Sequence, residues 1–264
     1  MGPILMLGAG RMGGALIAGW RRADAFPMTT LMIRDPQAGP EALSAVAEGA
    51  MLDPSPQDIA RAEVVLLAVK PQIWRAAATE IVPLLAPEAV IVSVAAGVSA
   101  ADISAAFGGR AVARIMPTTA AAIGQGTASL FATEPRAAAL ARELFSQVGM
   151  VVELDDEDQM HAATAVSGSA PAYLYAFVEA LEAAGAAAGL SEASAQRLAR
   201  ATISGAAALL AESGEEPAEL RRQVTSPGGT TQAALEVLMG SQGLGPLLET
   251  AVAAAARRSR ELGQ

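Results

Sequence analysis

The sequence predicts an α/β protein: an N-terminal doubly wound parallel sheet followed by an all-α C-terminal domain. Three observations carry this. A short apolar strand at residues 3–7 runs into Gly8-Ala9-Gly10-Arg11-Met12-Gly13 and then into a helical stretch. Apolar runs of strand length alternate with helical segments as far as Glu153. Beyond Asp155-Asp156-Glu157-Asp158 every periodic segment is helical. The expected domains are therefore residues 1–154 and 155–264.

Composition narrows the function. The 264 residues suffice for one large or two modest domains with real cores. Hydrophobic residues make up 52% and charged residues 17%, against a usual ~25% charged; so low a charge points to buried subunit contact. A formal net charge of -9 with no basic run argues against a nucleic-acid partner. There is no cysteine, which excludes disulfides, thiolate catalysis and Cys-based metal sites. His161 is the one histidine, so no His-cluster metal site is expected either. No apolar run approaches the ~20 residues of a membrane span. The first residues lack the basic start of a secretory signal, so a cytoplasmic protein without a membrane partner is expected.

Residues 3–7 form the first strand, and Gly14 to Trp20 reads as the helix after the turn. G-x-G-x-x-G in strand–turn–helix context is a Rossmann-type dinucleotide fingerprint. The first glycine makes the turn, the second lets a pyrophosphate approach the backbone, and the third lets helix pack on strand. A set of packing glycines would read the same way. Leu31-Met32-Ile33 is the second strand and ends at Arg34-Asp35-Pro36. Asp35 stands where an acid holds ribose hydroxyls and favours NAD. Arg34 beside it can hold the 2′-phosphate of NADP. The two pull in opposite directions, and the residues alone leave both open.

Val64 to Val69 is a continuous apolar run, as in a strand buried on both faces, and ends at Lys70-Pro71. Lys70 is the only lysine. It sits at the carboxyl end of a strand, where ligands of such sheets bind, although a solvated lysine fits that place equally. Val90 to Val94 ends in Ala95-Ala96-Gly97, small enough for close approach of a ligand. Residues 111–115, leading into Met116-Pro117-Thr118-Thr119, and residues 126–131 and 148–153 complete the sheet.

In the helical part, the acidic run 155–158 suits a helix N-terminus. Residues 160–166 form one segment, containing His161, whose default role is structural. Ser167-Gly168-Ser169-Ala170-Pro171 interrupts it, with Ser169 as expected cap. Helices follow over 172–188, from Ser191 to Leu210, over 217–224 and over 246–262. They carry apolar residues on more than one face. So small a domain cannot bury them alone, which predicts an obligate homodimer through this domain.

The stretch richest in chemistry is Val224-Thr225-Ser226-Pro227-Gly228-Gly229-Thr230-Thr231, running into a helix over 232–238. Pro227 fixes its own φ and the two glycines allow a tight turn. Thr230 or Thr231 is expected to cap the helix. Free N–H groups at a helix N-terminus, with hydroxyls of Thr225, Ser226, Thr230 and Thr231 beside them, suit a small anion such as a carboxylate. An ordinary glycine turn with a cap has the same residues.

Together these motifs resemble the pyrroline-5-carboxylate reductase family over nearly the whole chain. The carrying residues are Gly8 to Gly13, Ala68-Val69-Lys70-Pro71, Ser93 to Gly97, Arg114-Ile115-Met116-Pro117, Ser167 to Tyr173 and Thr225 to Thr231. Two departures stand out. Thr118-Thr119-Ala120 replaces the family's Asn-Thr-Pro, and Ala170 replaces a glycine. The resemblance implies reduction of Δ1-pyrroline-5-carboxylate to L-proline, the last step of proline biosynthesis, with NADPH as cofactor and NADH as alternative. It implies cofactor binding by Gly8, Ala9, Gly10, Arg11, Met12, Gly13, Arg34, Asp35, Ser55, Ala68, Val69, Lys70, Pro71, Ala95, Ala96, Gly97, Met116 and Pro117. It implies a substrate site of Thr225, Ser226, Gly228, Gly229 and Thr230, with Glu157 as a second contact to the ring nitrogen. There the carboxylate would sit on the Gly229 and Thr230 N–H groups and the Thr225 hydroxyl, and Thr230 Oγ1 would be the catalytic contact to the ring nitrogen. It further implies that the helical domain of one chain meets the nucleotide domain of a neighbour in a homodimer, with an oligomer of dimers open.

Overall fold

The computed structural model describes residues 2–261; the expected end of the last helix at Leu262, like Met1, lies outside them. The strands are β1 (Ile4–Leu7), β2 (Leu31–Arg34), β3 (Met51–Leu52), β4 (Val64–Leu67), β5 (Val90–Ser93), β6 (Val112–Pro117), β7 (Gly126–Ala132) and β8 (Gly149–Glu153). Between them run α1 (Arg11–Ala23), α2 (Pro40–Ala47), α3 (Pro56–Ile59), α4 (Trp74–Ile81), α5 (Ala100–Ala106) and α6 (Pro135–Ser146). After the sheet come α7 (Gln159–Ala163), a π-helical turn (Thr164–Gly168), α8 (Ala170–Ala187), α9 (Glu192–Ser213), α10 (Pro217–Gln223), α11 (Thr230–Leu238) and α12 (Leu244–Glu261).

Two compact units result. The first holds residues 2–168 together with 255–261, and the second holds 169–254. Composition changes at 154/155, whereas compactness changes at 168/169. Residues 155–168 differ in composition from the sheet but are bonded to it, through contacts described below.

In the first unit the strands form one sheet in the order β3-β2-β1-β4-β5-β6-β7-β8. All neighbours are parallel except β6 and β7. The expected doubly wound parallel sheet is thus found, with one antiparallel pair at β7. Only residues 118–125 join β6 to β7, too few for the crossover of a dozen or more residues that a parallel pair needs. A two-residue strand β3, with no periodic pattern of its own, also pairs with β2. The parallel strands alternate between two cores. Ile4, Met6, Val64, Leu66, Val90, Val92, Ala113 and Ile115 meet Leu16, Ile17 and Trp20 of α1 and Leu140 and Leu144 of α6. Leu5, Leu7, Val65, Leu67, Ile91 and Val112 meet Trp74 and Ile81 of α4, Ile103 of α5 and Phe107. Burial on both faces is why these strands read as unbroken apolar runs.

Helix α1 is pinned tightly. Trp20 Nε1 donates to the Leu144 carbonyl at 2.9 Å, and its ring lies edge-on to Phe145 at 6.5 Å. At Gly19 a Cβ would stand 2.2 Å from the Ala121 carbonyl oxygen, so α1 packs backbone-close on residues 119–123.

In the second unit α8 and α9 pack along each other, and a Cβ at Gly185 would lie 3.2 Å from Ala195 Cβ. Ser191 caps α9 as expected, its Oγ accepting from the Ser194 N–H. Ser169 stands at the cap position of α8 but makes no capping bond. No residue of α8 is buried, and Leu174, Tyr175, Leu209, Leu210, Val237 and Leu247 are exposed. That is the many-faced apolar pattern read from the sequence.

The close approach of α1 gives a direct check on the packing. Gly19→Ala is expected to lower stability by about 1–3 kcal/mol, the usual range for overpacking, seen as a reduced melting temperature. An unchanged melting temperature would mean that α1 lifts freely from residues 119–123.

Candidate active site

Because β3, β2, β1, β4, β5 and β6 are parallel, their carboxyl ends lie along one edge of the sheet. The expected cofactor residues fall on that edge: Gly8–Gly13 after β1, Arg34 and Asp35 at the end of β2, Ser55 after β3, Ala68–Pro71 after β4, Ala95–Gly97 after β5, and Met116 and Pro117 ending β6. The strand order reverses between β1 and β4, where sheets of this kind bind ligands. There Gly8 has φ 89°, and a Cβ on it would lie 2.9 Å from the Ala68 carbonyl oxygen. A Cβ on Gly13 would lie 2.5 Å from the Gly8 carbonyl oxygen. Around Gly10, by contrast, a Cβ would meet nothing within 4 Å. Gly10 is the N-cap of α1, and no side chain caps the first N–H groups of that helix. Two glycines close the turn and the third keeps it open, which fits a pyrophosphate at the helix N-terminus. Ala9, Gly10 and Arg11 line a cleft of about 570 Å³ with Gly14, Gln37 and Thr119. The Met12 side chain packs on the core instead.

Arg34 and Asp35 turn to different partners. Asp35 Oδ2 accepts the Ala9 N–H at 2.6 Å and Oδ1 accepts the Gln37 N–H at 2.8 Å, which ties the acid to the glycine turn. The Arg34 guanidinium donates to Glu80 Oε2 at 2.7 Å, beside a second cleft of about 600 Å³ lined by Asp53, Pro54 and Leu84. Glu80 carries no motif in the sequence, and only the fold brings it to Arg34. Ser55 Oγ is engaged in a capping box with Asp58, donating to Oδ2 at 2.6 Å. Lys70 is exposed and makes no ion pair among the described residues. Gly97 takes φ 77° in the turn after β5. The π-helical turn reaches this edge too: a Cβ on Gly168 would lie 3.7 Å from Met116 Cγ. Thr118, standing for the family's asparagine, is buried and exchanges bonds with Thr127, its N–H donating to the Thr127 carbonyl at 3.0 Å and its Oγ1 accepting the Thr127 N–H at 3.1 Å.

Glu157 lies in the same unit. Its Oε1 accepts from Arg114 Nη1 at 2.7 Å and from the Ala100 N–H at 2.6 Å. His161 Nδ1 is 2.9 Å from Ser259 Oγ. Burial lowers the His161 pKa first; Arg114 and Arg260 lower it further, against the opposing pull of Asp158 and Glu157.

In the second unit, the Val224–Thr231 loop differs from expectation in its capping. Gly229, not Thr230 or Thr231, is the N-cap of α11, and Thr230 is the first helical residue. The reason is the turn before it. Gly228 takes φ 67°, and the Gly229 N–H closes onto the Ser226 carbonyl at 3.0 Å. The Thr225 hydroxyl donates to the Arg221 carbonyl at 2.6 Å, and the Gly228 N–H donates to Gln232 Oε1 at 2.7 Å. No side chain caps α11, so its first-turn N–H groups stand beside the exposed Thr230 and Ser226.

Comparison with known proteins adds to this geometry. Residues 3–97 match the family model for NADP oxidoreductase, coenzyme F420-dependent, and residues 157–262 match that for pyrroline-5-carboxylate reductase dimerisation. The chain is 42% identical over 268 aligned positions to a pyrroline-5-carboxylate reductase of Pseudomonas aeruginosa, covering 99% of this chain and 97% of that protein. Among solved structures it is similar to a pyrroline-5-carboxylate reductase from Coxiella burnetii, with TM-score 0.90, 30% identity and coverage of 100% and 99%. It is also similar to a Plasmodium falciparum pyrroline carboxylate reductase with NADP bound, with TM-score 0.84, 25% identity and coverage of 99% and 98%.

The His161 environment sets a pH dependence. The unfolded chain takes up a proton near the ordinary value of about 6.5, and the folded chain only at lower pH. Stability is therefore unaffected by this group above that value and falls as pH drops below it. Melting temperatures followed from about pH 8 to about pH 5 are expected to decline less in His161→Gln than in the parent. Identical pH profiles would mean that His161 charges as easily folded as unfolded.

Proposed function

The chain belongs to the pyrroline-5-carboxylate reductase family, and on that premise we infer how its own residues reduce Δ1-pyrroline-5-carboxylate to L-proline with NADPH. The observation that carries the reading is the single sheet edge on which the cofactor candidates gather, closed by Gly8 and Gly13 and open at Gly10. When bound, NADPH supplies the hydride that turns the C=N bond into a C–N single bond. The residues then have two tasks, holding a carboxylate and keeping the ring nitrogen protonated. The substrate imine already carries a proton near neutrality, so no strong acid is needed, and orientation alone contributes several kcal/mol.

We assign the carboxylate to the head of α11. The Thr230 and Thr231 N–H groups and the Ser226 hydroxyl are the donors that need no rearrangement. The Gly229 N–H and the Thr225 hydroxyl join by leaving the Ser226 and Arg221 carbonyls, and a charged acceptor makes the stronger bond. Thr230 Oγ1 accepts the hydrogen bond of the iminium N–H and so holds the proton at that atom. The exposed apolar residues of α8 and α9 support a homodimer formed through the helical unit. Among the described residues no helix is long and apolar enough to cross a membrane. We place the enzyme in the cytoplasm, where reduced nicotinamide is regenerated.

Two kinetic outcomes are expected. Wild-type protein oxidises NADPH only when the imine is added. Thr230→Ala lowers kcat/KM for the imine by roughly 10–100-fold, with a melting temperature close to wild type, because Thr230 is exposed. Dinucleotide binding without any oxidation would overturn the reductase reading, and unchanged kinetics in the variant would remove Thr230 from the site. The second outcome concerns the cofactor's 2′-phosphate. Asp35→Ser is expected to raise the NADPH-to-NADH ratio of kcat/KM by about tenfold, equivalent to about 1.4 kcal/mol. Glu80→Gln, by releasing the exposed Arg34, raises it by no more than about fivefold. Steady-state rates with both cofactors check these values, and unaltered ratios would mean that neither acid faces the 2′-phosphate.

A further inference from the structure

We propose that Arg114 and Glu157 are a positioning pair for the nicotinamide end of the cofactor site, and that Glu157 acts there without touching substrate. The assignment rests on the reading that Ala95–Gly97 and Met116–Pro117 face the dinucleotide. Arg114 projects from β6, two residues before Met116, and is only 4% exposed. A guanidinium so placed needs a charged partner, and Glu157 Oε1 provides it at 2.7 Å. The same oxygen accepts the Ala100 N–H at 2.6 Å. Ala100 is the first residue of α5, reached from β5 through the Ala95–Gly97 turn.

One carboxylate oxygen thus joins three segments. They are the strand that ends in Met116-Pro117, the helix that follows the 95–97 turn, and the acidic run that leads into α7 and the π-helical turn against Met116. Backbone ladders fix β5 to β6 along the strands, pairing Ser93 with Arg114. Beyond that pair the β5–β6 ladder stops: β6 runs on to Pro117 against β7 while β5 passes into the 95–97 turn, and the side-chain junction ties the helix after that turn back to β6. Glu157 Oε1, with Arg114 and the Ala100 N–H on it, has both of its lone pairs engaged within the chain, so the junction by itself accounts for an acid at 157.

The test separates cofactor from substrate effects. Glu157→Gln keeps the shape and the acceptor for the Ala100 N–H but removes the charge opposite Arg114. It is expected to weaken NADPH binding, followed by fluorescence titration, by about tenfold and to raise KM for NADPH in parallel, while KM for the imine stays within about twofold. Arg114→Met acts in the same direction. The double variant Arg114→Met/Glu157→Gln buries no lone charge, so its loss of NADPH affinity is smaller than the product of the single losses. If Arg114→Met does not fold, Glu157→Gln alone decides, because it is isosteric. A raised KM for the imine with intact NADPH affinity would overturn the assignment and restore Glu157 as a substrate contact. A lowered melting temperature with all binding constants unchanged would overturn it in favour of a purely structural pair. A wild-type chain that binds no dinucleotide overturns the underlying cofactor reading, and this assignment with it, whereas wild-type binding with an unaffected Glu157→Gln variant overturns this assignment alone.

Discussion

The structure depends first on one close approach of backbone to backbone at the point where β1 leaves the sheet. Gly8 turns through φ 89° with the Ala68 carbonyl where its Cβ would be, and Gly13 presses on the Gly8 carbonyl in the same way. Any side chain at either place would push α1 off the sheet. With α1 held down, Trp20 reaches the Leu144 carbonyl and Gly19 meets residues 119–123. That contact in turn carries the turn between β6 and β7. The glycine turn is thus a packing device as well as an anion cradle, and it serves as a cradle because Gly10 alone is left with free space.

A second feature is that many polar groups of the expected site already have protein partners. Asp35 holds the Ala9 and Gln37 N–H groups, Ser55 is closed in a capping box, Arg34 lies on Glu80, and Thr225 and Gly229 bond within their own loop. Polar groups in and around such a site find partners within the chain wherever the fold allows. Binding then exchanges one hydrogen bond for another, and the gain comes from the charge on phosphate or carboxylate. This pattern separates groups that exchange readily, such as the exposed Arg34, from those that do not, such as Glu157 with a buried cation against it.

Much of this was legible in the sequence. The G-x-G-x-x-G turn, the strand ends that follow it and the helical second half stand in the order that the motifs dictate. What was not legible has physical causes. Periodicity gives strands but not their direction, and only the short 118–125 connection makes β7 antiparallel to β6. β3 has two residues, too few for any pattern. Thr230 looked like a cap because threonine often is one, but the φ of Gly228 places Gly229 at the cap. The π-helical turn, Thr164–Gly168, hides in the end of a segment that reads as plain helix and in the Ser167-Gly168 break that follows it. Glu80 and Arg114 find their partners 46 and 43 residues away, through the fold alone.

The central claim is that α1 receives the cofactor pyrophosphate and α11 the substrate carboxylate. The most direct measurement is a crystal structure of the protein with NADP⁺ and L-proline bound. The account predicts pyrophosphate oxygens on the first N–H groups of α1 beside Gly10. It predicts the proline carboxylate on the Thr230 and Thr231 N–H groups, with Glu157 still on Arg114. Proline bound with its carboxylate on a basic side chain such as Lys70, and nothing at the head of α11, would contradict it.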